Sequence, residues 1–434
     1  MRVLHIVHNS LPLISGSTIR SKYIFKYQKE FAQVFVLTSF LFINKKDFKI
    51  LDNIPHFRIN RNISKFLRLY NRILSRTDNY FYKFFKIDLK RLLKDVYYFP
   101  ISFFTKYYIQ KIVKFYNIDI IHQHTQPKFG KYSLEVAKKL KIPYIYEVRG
   151  FIEENMLVAV KDLKRKDPKL IHFIYNNIIN QETDVLRKAN LIITLSEPMK
   201  EILIRRKIKE EKIEIVPNCI DTDLINPSIL NFDLKEELKI NEDIVIGFFG
   251  KLSWYEGIEI LIKALPLILE KEVSIKFILI GNVVEEYFQY LNRLIHELNL
   301  SENVLFLKPL PHEELIKFYS IVDMIVLPRL DHAVCRVVTP LKPLEAMGFK
   351  TLVIASDLPA LRYTIIDEKT GVLFEPENSE ALASKILYFH HHLKEKEIIE
   401  KHARNYVENH FSWKKIIPKY KDLYLKLLQF NKHK

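Results

Sequence analysis

Short apolar runs and stretches of helical period alternate along the whole chain. The first run, residues 2–7 (RVLHIV), is followed by Gln33–Leu37, Asp119–His122, Tyr144–Val148, Leu191–Leu195 and Ile213–Val216. Between them apolar residues recur three and four positions apart, the spacing of one helix face, with a first helix beginning near Thr18. β-Branched runs alternating with helices, and no turn signal that would fold two runs into a hairpin, predict parallel sheets covered by helices on both faces. The segment VPNCIDTDLINPSILNFD carries proline, asparagine and aspartate without periodicity, so a linker falls within 217–241.

The alternation then restarts. Ile244–Phe249, Ile275–Ile280, Val304–Leu307, Met324–Leu327, Thr351–Ala355 and Val372–Phe374 read as strands. Helices such as Ile258–Glu270, Glu285–Leu298, Glu313–Ile321 and Ser379–His392 lie between them. The chain is therefore expected to be α/β, with two doubly wound Rossmann-like domains, 1–225 and 226–408. A last amphipathic helix in 409–434 aligns Trp413, Ile417, Tyr420 and Tyr424. Ligands of such sheets bind where the carboxyl ends of the strands open into a crevice.

Charge separates the two halves. The chain holds 68 Lys and Arg against 51 Asp and Glu, a net +17. Residues 1–225 hold 41 basic and 22 acidic residues and the remainder 27 and 29, so the excess lies in the first half. An anionic membrane surface or a phosphate-linked acceptor would suit that half, whereas no nucleic-acid-reading module is present. Within it, Tyr70 to Tyr116 is basic and aromatic at helical spacing. That stretch reads either as packed helices with a solvated basic face or as a surface resting on anionic headgroups. No apolar run reaches the ~18 residues of a membrane span. The first ten residues are too short and polar for a signal peptide, and two cysteines exclude a disulfide framework. A cytoplasmic protein, peripheral on the inner face of the membrane, is the expectation.

Candidate chemistry gathers in Leu327 to Ser356, LPRLDHAVCRVVTPLKPLEAMGFKTLVIAS. A strand leads in and another closes the stretch, with an irregular loop and a short helix seeded by Pro340 and Pro343 between them. First-turn amides have no helical partner, which tolerates proline and suits a phosphate. Glu345 close behind suits paired ribose hydroxyls, and Arg329, Arg336 and Lys342 supply positive charge.

The order of landmarks resembles glycosyltransferase family 4. It runs from LPLISGST through IDIIHQH, IPYIYEVRG, ANLIITLSEPMKEIL and KIEIVPNCID to FFGKLSWYEGIEILIKAL. VDMIVLPR, VTPLKPLEAM, ASDLPALR, TGVLFEP and the closing FSW helix complete it. VTPLKPLEAM beside YEGIEIL is similar to the branch found with exopolysaccharide and exosortase-linked clusters. The resemblance implies a retaining enzyme of GT-B fold. Its second domain would hold a nucleotide-diphosphate sugar as co-substrate, and its first a glycan or lipid-linked acceptor. The last helix would cross back to the first domain.

Taken residue by residue, the resemblance implies that Glu345 binds ribose hydroxyls. The family's other motif glutamate falls on Val337, the arginine of its phosphate pair on Lys251 and the lysine on Glu256, a charge reversal. Diphosphate neutralisation then passes to Lys342, Arg329 and Arg336, with Val338 and Thr339 as donors and Gly250 beside them. In the first domain Gly16 and Ser17 match the loop that approaches the donor phosphates, and Arg20 would reach an anionic group. Arg149 stands where a histidine is usual, next to Glu147, with which it would form a salt bridge if the pair is structural. His122 and His124 are the nearest imidazoles, His124 being the acceptor-side candidate. Fixed positive groups around the leaving phosphate would lower most of the barrier. With no Asp-x-Asp near a strand end, and no His/Cys cluster or P-loop visible, metal independence is expected. The alternatives are a catalytically degenerate partner of the same fold, which Val337 and Glu256 suggest, or a sugar-nucleotide epimerase or hydrolase.

Overall fold

A computed structural model describes residues 1–10, 15–39, 48–58, 65–66, 69–70, 72–73, 94–161, 168–227 and 233–432. The chain divides into two units. One comprises Met1–Thr194, Ile202–Ile215 and Ile417–Lys434, and the other Leu195–Glu201 and Val216–Ile416. Apart from the short excursion Leu195–Glu201, the chain changes unit at Val216 and Ile417, where the sequence division stood at 225/226 and 408/409.

The first unit carries eight described strands. They are β1 (Arg2–Val7), β2 (Gln33–Thr38), β3 (Phe48–Leu51), β4 (Ile54–Arg58), β5 (Ile120–His124), β6 (Tyr144–Glu147), β7 (Leu191–Thr194) and β8 (Ile213–Ile215). Their order is β3-β4-β2-β1-β5-β6-β7-β8. All neighbours run parallel except β3 and β4, an antiparallel hairpin. That hairpin corrects the expectation of none. Asp52 and Asn53 join its strands at φ 51° and 60°, the left-handed pair that a two-residue hairpin turn requires. β1, β5 and β6 are almost wholly buried, as the continuous apolar runs of a sheet covered on both faces demand.

The first helix spans Gly16–Gln28, two residues longer at its start than expected, because Ser15 caps it. The Ser15 hydroxyl accepts from the Thr18 amide while the Thr18 hydroxyl accepts from the Ser15 amide at 2.8 Å, a reciprocal capping box. Of the basic aromatic stretch, the structure describes the helix Lys94–Tyr116; the expectation for residues 74–93 lies outside the described residues. Among the described residues no helix is long and apolar enough to cross a membrane.

The second unit holds β9 (Ile244–Phe249), β10 (Ile275–Ile280), β11 (Val304–Leu307), β12 (Met324–Leu327), β13 (Leu352–Ser356) and β14 (Val372–Phe374). They form a parallel sheet in the order β11-β10-β9-β12-β13-β14. Helix Ile258–Leu269 buries Ile258, Leu261, Ile262, Leu265 and Ile268, one apolar stripe at helical spacing. The expected linker is instead built into this unit. Cys219, Ile220 and Ile225 are buried, and Ile220 exchanges backbone hydrogen bonds with Phe411 and Trp413. Proline and asparagine there mark irregular backbone, not freedom. Strand order reverses between β1 and β5 in one sheet and between β9 and β12 in the other, the switch points at which open α/β sheets bind ligands.

Candidate functional site

At the first switch point, the carboxyl ends of β1, β5 and β6 frame a cavity of about 200 Å³ lined by His8, Ser17, Ser21, His124, Gln126 and Arg149, among others. Gln126 stands at φ 94°, a left-handed conformation costly outside glycine, as the chain turns from β5 into the helix Pro127–Leu140. Register explains why histidines meet beneath this cavity. His5 of β1 lies opposite His122 of β5, and His124, two residues on, faces the same side. All three are buried.

These imidazoles belong to a ring of polar side chains. Arg149 Nη2 donates to His124 Nδ1 at 2.7 Å, and His124 Nε2 lies 2.8 Å from His5 Nδ1. His5 Nε2 lies 2.8 Å from Gln28 Oε1, and Gln28 Nε2 donates to the Tyr424 hydroxyl at 2.9 Å. Tyr424 in turn is 2.7 Å from His122 Nδ1. His122 Nε2 stands 3.1 Å from Glu147 Oε2, at an oblique angle. Glu147 Oε1 closes the ring by accepting from Arg149 Nε at 2.7 Å. Glu147 also accepts from Arg20 at 2.9 Å and from the Tyr420 hydroxyl at 2.8 Å. Burial holds His5 and His124 well below the ordinary imidazole pKa and lowers His122 as well, so all three are neutral. Burial alone would raise Glu147. The Arg149 and Arg20 guanidiniums outweigh it, and the carboxyl sits well below the usual range.

At the second switch point, Gly250 follows the end of β9 and Pro328–Arg329 follow the end of β12. Gly250 takes φ 130°, and a Cβ there would meet Lys342 Cε at 2.8 Å. Only glycine lets that lysine lie against the strand end. The Lys342 ammonium sits 3.8 Å from the centre of the Phe248 ring and 2.9 Å from Glu256. Glu256 also accepts from Arg329 at 2.9 and 3.3 Å. Against the raising effect of burial, these two cations pull the Glu256 carboxyl down to about 2. Burial lowers the Lys342 ammonium, which Glu256 partly restores. Glu345 lies in the helix Lys342–Gly348, entered by Pro343 alone, with Pro340 in the loop before it. Its two oxygens lie 2.9 Å from His312 Nε2 and 3.2 Å from the Tyr319 hydroxyl.

Comparison with known proteins follows this geometry. Residues 62–224 match the family described as Glycosyltransferase Family 4, and residues 231–406 the one described as Glycosyl transferases group 1. The chain belongs to the family 4 glycosyltransferases. It is similar to an uncharacterized glycosyltransferase of Methanocaldococcus jannaschii, 28% identical over 52% of this chain and 57% of that one. An alpha-monoglucosyldiacylglycerol synthase of Streptococcus pneumoniae is 25% identical over 64% and 60%. The matches thus span less than two thirds of these relatives' length. Among solved structures, Anabaena HepE in complex with UDP-glucose superimposes with a TM-score of 0.68 over 98% of this chain and 99% of that one, at 17% identity. The fold is therefore GT-B, with a parallel-sheet α/β domain in each unit.

Within this glycosyltransferase the sequence-predicted residues fall into separate groups. Arg20, His124, Glu147 and Arg149 come together around one carboxylate; Arg20, 1% exposed, is tied to Glu147 and Tyr420. Gly16 and Ser17 are exposed at the start of the first helix, and the Ser17 carbonyl accepts from Arg149 at 3.0 Å. Lys342 and Arg329 converge, but on Glu256. Arg336 does not join them: it is exposed and paired with Asp331. Lys251 is exposed, with no partner among the described residues. The Val338 amide is already bonded to the Val334 carbonyl, while its own carbonyl accepts from Arg329. Thr339 is buried, its carbonyl held by Asn218 at 2.8 Å. A histidine cluster does exist, contrary to the sequence reading. His5 is over a hundred positions from the HQH run, and only strand order joins them. Gln28, Tyr424, His312 and Tyr319 were likewise missed. The available signal was a polar residue inside an apolar strand, as in RVLHIV.

Proposed function

We propose that this glycosyltransferase moves a sugar, with retention of anomeric configuration, from a nucleotide-diphosphate sugar to a hydroxyl of a glycan or lipid-linked acceptor in cell-surface polysaccharide or glycolipid synthesis. The observation that carries the reading is the Glu345 carboxylate, gripped by His312 and Tyr319. A carboxylate offers about four acceptor sites. Two partners leave room for a pair of ribose hydroxyls. Lys342 and Arg329, with Glu256 between them, leave one net positive charge beside it for the diphosphate. Binding of UDP-glucose by a protein of the same fold and the glycolipid synthase among the relatives support this reading. The reaction proceeds without a metal ion, so activity persists in EDTA.

The test is a thermal-shift screen of nucleotide sugars followed by transfer assays. A bound donor at a hundred times its dissociation constant adds about 2.7 kcal/mol of stability. Glu345→Gln and Lys342→Ala weaken that donor. Unchanged affinity in both would overturn the assignment. Because Glu256 already neutralises a cation, a catalytically silent partner is the second reading, and donor binding without transfer to any acceptor would favour it.

The basic half rests on an anionic bilayer in this proposal. Helix Lys94–Tyr116 exposes Phe99, Phe103, Tyr107 and Phe115 alongside Lys111 and Lys114, aromatic and cationic groups suited to a headgroup layer. Cosedimentation with phosphatidylglycerol vesicles, weakened in Phe103→Ser, checks it; equal recovery with neutral vesicles would refute the electrostatic part.

A further inference from the structure

The first-unit cavity sets polar side chains among apolar surface and is nearly without charge. Among the described residues lining it Arg149 alone carries a full charge, and its guanidinium is already engaged. Nε goes to Glu147 and Nη2 to His124, while Nη1 serves the Ser17 carbonyl and the Ser21 hydroxyl at 3.0 and 2.6 Å. An arginine has five N–H groups. Four are occupied, and a single donor remains. A phosphate or carboxylate prefers two parallel donors from one guanidinium, and a desolvated anion needs a cation not already paired. Neither is on offer at the wall, because Arg20, the second cation on Glu147, is buried and does not line the cavity. What the walls do present are hydroxyls, two imidazoles, amides and one N–H, a set that matches alcohol groups. The space equals about six or seven waters, on the order of one sugar ring.

The ring beneath explains why this set is fixed. Each imidazole accepts at Nδ1: Arg149 gives to His124, His124 to His5, His5 to Gln28, Gln28 to Tyr424 and Tyr424 to His122, whose Nε2 lies 3.1 Å from Glu147 Oε2 at an angle too oblique for a hydrogen bond. The donors run one way from Arg149 through the histidines, Gln28 and Tyr424, while a second Arg149 donor reaches Glu147 directly from the other side; one orientation of the Gln28 amide satisfies both its contacts. His124 therefore has both nitrogens committed and is not free to act as a base. The three histidines do not suit a metal ion. Their Nδ1 lone pairs are all in use as acceptors of the hydrogen bonds from Arg149, His124 and Tyr424.

Resting on the transferase reading, we propose that this cavity takes an uncharged, hydroxyl-bearing acceptor, a sugar ring or polyol, and discriminates against phosphorylated ones. Gln28 and Tyr424 are positioning residues that hold His124 and Arg149 in place through the ring.

Histidine-labelled protein titrated with methyl α-D-glucopyranoside, methyl α-D-mannopyranoside and myo-inositol, and in parallel with glucose 6-phosphate and inositol phosphate, decides the matter without turnover. The His124 imidazole ¹⁵N signals should move with at least one neutral probe, and its phosphorylated counterpart should bind at least about tenfold more weakly. Tighter, salt-sensitive binding of the phosphorylated probes would overturn the proposal, as would no response to any probe at tens of millimolar. Tyr424→Phe keeps the aromatic packing and Gln28→Met the side-chain volume. Each should weaken the neutral probe about 2- to 10-fold, the worth of one hydrogen bond, and leave nucleotide-sugar affinity unchanged. Equal losses for both ligands, or for neither, would remove the positioning role. One tightly held metal ion per chain, lost on His5→Gln, would replace the ring with a metal site. A neutral probe that binds while no nucleotide sugar supports transfer would sink the transferase reading and leave the cavity assignment standing.

Discussion

Replacing Glu256 with Gln tests the second switch point in two opposite directions. The carboxylate is 5% exposed and holds Arg329 and Lys342, which depress its pKa from 4.5 to about 2. A group with a depressed folded pKa stabilises the fold above its unfolded value and loses that contribution as pH falls through the folded one. A difference of about 2.5 units corresponds to about 3 kcal/mol, fully present at pH 7 and fading between about pH 4.5 and 2. Breaking a buried pair and stranding the opposite charges is of the same size. In a unit of about two hundred residues that shifts the melting temperature by about 6–12 °C. The same change frees Lys342 and Arg329 from their internal anion. If they serve the diphosphate, the variant binds its nucleotide sugar more tightly while being less stable. Calorimetric melts of both proteins at pH 7, 5 and 3.5, with and without donor, measure both effects. A stability loss that does not shrink with acid, or a donor affinity that falls along with stability, would refute the reasoning.

Glu182 makes the converse prediction. Burial, and Glu153 beside it, raise its carboxyl to about 7. A raised carboxyl costs stability as pH climbs from the unfolded value to the folded one, so Glu182→Gln should stabilise by about 1–3 kcal/mol at pH 8 and by nothing at pH 4; equal denaturation midpoints at pH 8 would contradict this. Gly281→Ala should abolish folding of the second unit, because its Cβ would fall 1.6 Å from the Gly250 carbonyl oxygen, judged by loss of the cooperative melt. Glu147→Gln should cost about 3–5 kcal/mol by leaving Arg20 and Arg149 buried against an uncharged amide, visible as loss of soluble expression or a large drop in midpoint.

The parallel sheets were legible because a strand covered on both faces must be apolar throughout, and RVLHIV, IVIGFF and LVIAS say so without help from the rest of the chain. Register and order were not, because they depend on residues more than a hundred positions apart. His5 meets His122 only once β1 and β5 lie side by side. The charge reversal at Glu256 was visible; its meaning was not, since nothing local shows that Lys342 and Arg329 turn inward to meet it. The Asp52–Asn53 turn was missed for a smaller reason. Its strands are short, and the pair lacks the glycine that usually marks such a turn.

Local patterning thus determined the periods, the strand runs, the basic half and the identity of Glu345 as a carboxylate near a strand end. Tertiary structure alone decided which charges are already neutralised and which remain for a ligand. The physical reason is that hydrophobic periodicity is written in neighbouring residues, whereas the partner of a buried charge is whatever group the folded sheet brings within three ångströms.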